Sequence, residues 1–60
     1  SIRAEPEMLE LSAERRASLI AFVEKNQNMP DEAKARTLAN LRQTYVPAEM
    51  VARLESRMGG

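Results

Sequence analysis

The sequence contains no cysteine and no histidine. Disulfides are therefore excluded, and a structural zinc site, which relies on these two residue types, is largely excluded as well. A chain of 60 residues buries only about 60% of the surface that its unfolded form exposes. A core of that size rarely supplies more than about 3–5 kcal/mol of stability. We therefore expect one domain of low stability, in which either the packing is unusually good or a partner contributes.

The sequence also has no excess of basic over acidic residues, or the reverse, and no long run of apolar residues. Nine basic residues balance nine acidic residues, so the chain lacks the positive field that attracts nucleic acids or anionic lipids. The longest apolar run extends only from Leu19 to Val23, whereas a bilayer-spanning helix needs about 20 residues. We predict no membrane insertion by this segment and no nucleic-acid partner.

Candidates for catalysis are few. General acid–base chemistry needs a carboxylate or histidine in a desolvated site, and nucleophilic catalysis by serine needs an activating base. The densest carboxylate group is Glu5, Glu7, Glu10 and Glu14. A solvated surface explains it better than a weak cation site, since calcium requires six to eight oxygens around a tight loop. We predict no catalytic, cofactor-binding or metal-binding residue, and no enzyme activity.

Three segments of the chain begin alike. Each places an apolar residue before a serine or proline, with a carboxylate shortly after: Leu11-Ser12-Ala13-Glu14, Met29-Pro30-Asp31-Glu32 and Val46-Pro47-Ala48-Glu49. Serine can cap a free amide, and proline is tolerated in the first helical turn. The carboxylate meets the positive end of the helix dipole, and the apolar residue can fold back as a staple. The repeat predicts three helix starts.

Cations mark the predicted helix ends, at Lys25, Arg42 and Arg57, where they complement the negative end of the dipole. We predict helices over about 12–26, 30–43 and 47–58, joined by short loops. The predicted fold is an all-α three-helix domain over residues 11–60. Residues 1–10, with Pro6 and three glutamates, are predicted to form a polar linker or leader.

Apolar side chains at helical spacing predict one shared core. The predicted stripes are Leu19, Ile20 and Val23, extended by the stem of Arg16 and flanked by Phe22, on helix one; Ala35, Leu38, Leu41 and then Tyr45 on helix two; and Met50, Val51, Leu54 and Met58 on helix three. Because each predicted helix has a complete apolar face and the connections are short, a compact three-helix bundle is favoured over a long coiled coil.

Methionines and aromatic residues leave alternatives open. Met29, Met50 and Met58 are consistent with a soft binding groove, but core filling is favoured because two of them fall on a stripe or staple position. Tyr45 can close the core while its hydroxyl stays in water. Phe22 and Tyr45 are the side chains least fixed by the core pattern and are of a type enriched at interfaces, so we predict them as protein contacts.

A three-helix domain also suggests helix-turn-helix DNA binding, but the charges on helix three oppose it. Glu49 and Glu55 lie beside Arg53 and Arg57, so phosphates would meet carboxylates as often as guanidinium groups. The i, i+4 spacing of Glu49 and Arg53 is better interpreted as an intrahelical pair worth about 0.2–0.5 kcal/mol.

Most of the chain from Arg15 onward resembles a known sequence. The resemblance rests on Arg15-Arg16-Ala17-Ser18-Leu19-Ile20-Ala21-Phe22-Val23-Glu24-Lys25-Asn26, on Met29-Pro30 and Glu32-Ala33-Lys34-Ala35-Arg36, on Val46-Pro47, and on Val51-Ala52-Arg53-Leu54-Glu55-Ser56-Arg57-Met58-Gly59-Gly60. In these residues the chain resembles the C-terminal extension of some periplasmic adaptor subunits, or membrane fusion proteins, of resistance-nodulation-division efflux pumps.

The resemblance implies a place in an assembly rather than a chemistry. It implies a periplasmic tail on a parent protein that is associated with the inner membrane, with other efflux-pump subunits as partners. No binding residue is carried over, because no part of the matching sequence has an assigned role. We therefore expect a non-catalytic interaction or assembly module. The alternative is a stand-alone cytoplasmic helical domain with a regulatory or nucleic-acid-associated role.

Overall fold

A computed structural model describes residues 5–59 of the chain. The elements follow in the order β1 (Met8–Glu10), α1 (Ala13–Lys25), α2 (Asp31–Leu41), β2 (Tyr45–Pro47) and α3 (Ala48–Met58). The predicted arrangement of three helices with short connections is therefore confirmed. The predicted end of helix two is the largest difference, since α2 stops at Leu41 and a turn follows.

The three helices start where the sequence repeat predicts. Ser12 caps α1, and its hydroxyl accepts a hydrogen bond from the backbone N–H of Arg15 at 3.2 Å. Pro30 and Pro47 occupy the same position before α2 and α3, with φ near −58° and −57°. The apolar residues that precede the caps all pack inward, since Leu11 and Val46 are buried and Met29 is half-buried against the core. Local capping and stapling together fix the helix starts.

The fold is not strictly all-α, because a small antiparallel sheet joins β1 to β2. Its register pairs Met8 with Pro47, Leu9 with Val46, and Glu10 with Tyr45. Tyrosine and valine favour extended backbone, and a residue before proline is kept out of the helical region. These preferences explain β2, and its pairing with β1 lets Leu9 pack against the core.

This sheet also corrects the predicted leader. Residues 8–10 belong to the folded unit as strand β1, whereas the sequence predicts a linker or leader over residues 1–10. The backbone N–H of Ala48 also donates to the carbonyl of Glu7 at 2.8 Å, so the contact extends beyond the strand itself. Residues 1–4 of the predicted leader lie outside the described residues.

One hydrophobic cluster joins all the elements. Its buried members are Leu11, Leu19, Val23, Leu41, Val46, Val51 and Leu54. Ile20, Phe22, Leu38 and Met50 are partly buried against it. The predicted stripes of helices one and three are thus confirmed at their centres, and the cluster spans α1, α2, β2 and α3.

Three predicted core positions are wrong. Ala35 is exposed because the inward side of α2 is turned toward Leu38 and Leu41. Tyr45 is exposed because α2 ends before it and the residue lies in strand β2 instead. Successive side chains of a strand point to opposite faces, so the Tyr45 side chain points away from the face on which Val46 is buried. Met58 lies in the last turn of α3 and remains 41% exposed.

Arg16 has a larger role than the aliphatic packing predicted for its stem. Its guanidinium donates hydrogen bonds to the backbone carbonyls of Leu41, Gln43 and Thr44. The last carbonyls of a helix lack intrahelical partners, and a cation there also meets the negative end of the dipole. Arg16 therefore fastens α1 to the end of α2 and to the turn that leads into β2.

Replacing Arg16 by methionine tests this contact. Arg16→Met keeps an unbranched stem but removes all three donors, so we expect it to lower the free energy of unfolding by about 1–3 kcal/mol. Urea melts followed by circular dichroism measure the loss. Arg36→Met is the matched control, since Arg36 lies exposed on α2 and its 3.9 Å pair with Glu32 is solvated. Equal losses in both variants would show that Arg16 contributes only as a surface charge.

Leu19 tests the core itself. It is 1% exposed at the centre of α1, so Leu19→Ala should cost about 2–5 kcal/mol. Because a core of this size rarely supplies more than about 3–5 kcal/mol in total, this loss should remove a large part of the stability and lower the melting temperature sharply. Thermal melts measure this, with exposed Ser18→Ala on the same helix as the control. A Leu19→Ala melt that coincides with the parent's would mean that the core lies elsewhere.

Candidate protein-binding surfaces

The chemistry available to this fold lies on its surface. Among residues 5–59, no polar or charged side chain is buried, and no three potential metal ligands lie together. No helix in the same range has the length and apolar character needed to cross a membrane. The groups left for recognition are exposed apolar side chains, charges and shallow depressions between elements.

The outer side of the two-stranded sheet presents large apolar groups. Leu9 and Val46 point toward the core, so strand alternation places Met8, Glu10 and Tyr45 on the opposite side. Tyr45 is 57% exposed and Met8 is 46% exposed. Tyr45 lies directly across from Glu10 and diagonally from Met8, within reach of a long side chain. We call the surface formed by Met8 and Tyr45 the ribbon face.

Phe22, the other predicted contact residue, lies elsewhere. Phe22 is half-buried on α1 and packs against the core. It also lines an open recess at the end of α1. The remaining lining residues are Lys25, Asn26, Gln27 and Asn28. Tyr45 does not line this recess, so the structure does not bring the two predicted contact residues into one pocket.

A third surface contains Met29 and Met50, two of the three methionines for which the sequence leaves a soft binding groove open as the less favoured alternative. It is a cleft of about 170 Å³ between α2 and α3, lined by Met29, Thr37, Met50, Arg53, Leu54 and Arg57. We call it the α2–α3 groove. A second sequence signal, which the prediction did not use, is the placement of two arginines at i, i+4 on the same side of α3 as Met50. Because the groove also has a wall on α2, this spacing predicts a groove only when the position of α2 relative to α3 is known.

The best-defined electrostatic contact lies away from the groove and joins α1 to α3. Arg15 forms a two-bond pair with Glu55, in which its Nε and Nη2 atoms donate to the two carboxylate oxygens at 2.6 and 2.7 Å. The hydrogen bonds to Arg15 lower the pKa of Glu55 and raise the pKa of Arg15. Both side chains are more than one-third exposed, so the pair acts mainly as an orienting contact between the helices.

Comparison of the chain with protein-family models, curated proteins and solved structures finds no match. The sequence and the three surfaces described above are therefore the basis for assigning a function.

The Arg15–Glu55 pair predicts how stability depends on pH. Because the pKa of Glu55 is lower in the folded state, the pair's contribution is complete above the unfolded pKa, about 4.3 for glutamate. It is lost as the pH falls through the lowered pKa. The raised pKa of Arg15 adds a loss only at extreme alkaline pH, outside the working range.

Glu55→Gln should therefore destabilise the domain at neutral pH, and the difference from the parent should shrink as the solution is acidified. Urea melts at a series of pH values measure it. Glu24→Gln is the control, because Glu24 lies 3.9 Å from Arg42 in a looser, exposed pair. A parent–variant difference that stays constant down to acid pH would contradict the role given to this pair.

Proposed function

We propose that this domain is a non-catalytic protein-interaction or assembly module, and specifically the C-terminal tail of a periplasmic adaptor of a resistance-nodulation-division efflux pump. The observation that supports an interaction role best is the ribbon face. Its two side chains, Met8 and Tyr45, are about half exposed, whereas seven hydrophobic residues are buried within residues 5–59. Large apolar groups left together in solvent are typical of binding surfaces.

Tyr45 is the stronger of the two anchors. A tyrosine ring supplies a large contact area with few rotatable bonds, and its hydroxyl can form a hydrogen bond at the rim of an interface. Its backbone lies in β2, beside buried Val46, so the ring is presented from an ordered position. Pre-organisation of this kind reduces the entropy lost on binding.

The assignment to an efflux adaptor is supported by the sequence resemblance over residues 15–60. The proposal includes a periplasmic location, a parent protein associated with the inner membrane, and other pump subunits as partners. In such a parent the folded unit would begin before β1. A deletion that starts at Leu11 would strip β1 of its partner strand and expose Leu9, so a clean deletion should start at Glu5.

Photo-crosslinking in the full-length adaptor tests this proposal. A benzophenone amino acid at position 45 should give a crosslink to another pump subunit on irradiation of intact cells. The same group at position 36, on the exposed outer side of α2, is the control and should give none. Crosslinks from both positions, or from neither, would count against a specific contact at the ribbon face.

A variant of the two predicted contact residues tests whether the contact matters. Phe22→Ala with Tyr45→Ala should lower efflux as much as the deletion from Glu5, because each removes an apolar group available to a partner. Tyr45→Ala alone is included because Phe22 also packs against the core, and circular dichroism identifies variants that have lost the fold. Export at the parental rate by the folded variants and by the deletion would contradict the proposed role.

A further inference from the structure

The α2–α3 groove exists because α2 and α3, unlike the other two pairs of helices, do not pack closely against each other. Both α2 and α3 pack on α1 and on β2, and they do so more than they pack on each other. A cleft between them is left, and Met29 from the loop between α1 and α2 contributes to its lining. The facing sides of two helices are thus available to a further element.

The floor and the rim of the groove differ in chemistry. Met29 and Met50 are half-buried and Leu54 is a buried member of the core, so the floor is apolar. Unbranched thioether side chains can adjust their shape to different apolar groups. Arg53 and Arg57 contribute the charged part of the lining, and both come from α3.

The net charge of this lining is positive. Arg53 is 3.5 Å from Glu49, in an exposed pair that a stronger partner can replace. Arg57 forms no salt bridge with any carboxylate within residues 5–59. The groove lining itself contains no acidic residue. An incoming segment with carboxylates beside apolar groups would therefore be complementary in both respects.

We propose that the α2–α3 groove binds an acidic amphipathic helix of a protein partner. Its apolar side chains lie on Met29, Met50 and Leu54, and its carboxylates pair with Arg53 and Arg57. A helix is the favoured form because the walls are themselves helices and an amphipathic helix in a groove is a recurrent mode of recognition. This site is separate from Phe22 and the ribbon face, and it does not depend on the efflux assignment.

The four methionines provide a built-in test. Met29 and Met50 line the groove, whereas Met8 and Met58 do not. The probe is a synthetic peptide with leucines at i, i+3, i+4 and i+7 and glutamates flanking them. Titrated into the isolated domain with ¹³C-labelled methionine methyl groups, it should shift the signals of Met29 and Met50 and leave those of Met8 and Met58 in place.

Charge reversal tests the arginines. Arg57→Glu should weaken binding of the glutamate peptide by up to about fivefold per exposed pair lost, with a further loss from repulsion. It should also improve binding of a peptide with lysines at the same places. Arg36→Glu makes the same change in net charge outside the groove and should alter both affinities less. The preference for the glutamate peptide should decrease with salt.

Three results would overturn the proposal. They are equal binding of the glutamate and lysine peptides, shifts confined to Met8 or Met58, and no shift of Met29 or Met50 at millimolar peptide. Shifts of Met29 and Met50 with vesicles of anionic phospholipid, and none with the peptide, would instead assign the groove to a membrane surface. Tyr45→Ala, at an exposed position, should leave peptide binding unchanged, so failure of this site and failure of the proposed ribbon-face contact are distinguishable.

Discussion

The arrangement of the chain depends on how the end of α2 is satisfied. Carbonyls at a helix end need donors, and here the guanidinium of Arg16 supplies them to Leu41, Gln43 and Thr44. The contact sets the position of the turn after α2 relative to α1. Because β2 follows that turn, and α3 follows β2 directly, one side chain on α1 influences where the sheet and the last helix lie.

The parts of this fold that could be predicted are those with local causes. Ser12, Pro30 and Pro47 mark helix starts through capping and backbone geometry, which involve only neighbouring residues. The sheet has a different origin, because Leu9 pairs with Val46 from the far end of the chain. The composition of Met8–Glu10 does not favour a strand. Of the two strands, only β2 has a sequence pattern typical of extended backbone, namely Tyr45 and Val46 before a proline.

The surfaces could be predicted only in part, for the same reason. Tyr45 was identified as a contact candidate from its residue type, but its exposure follows from strand alternation beside Val46. The groove depends on which elements α2 and α3 pack against, which helical periodicity does not specify. Met29 and Met50 illustrate this, since their spacing favoured the core and they lie at its edge, half-buried, where they also line the groove.

The low stability expected of a domain of this size and the proposed binding surfaces have linked consequences. A partner that binds only the folded state stabilises it by mass action, by about 2.7 kcal/mol at a concentration one hundred times its Kd. Such a core rarely supplies more than about 3–5 kcal/mol alone. Occupation of the ribbon face or the α2–α3 groove at that concentration would therefore raise the stability of the domain by roughly one-half or more. Because the ribbon face includes β1, which contacts the rest of the fold mainly through β2, a partner bound there would also hold the sheet together. Recognition and folding are thus expected to be thermodynamically coupled in this protein.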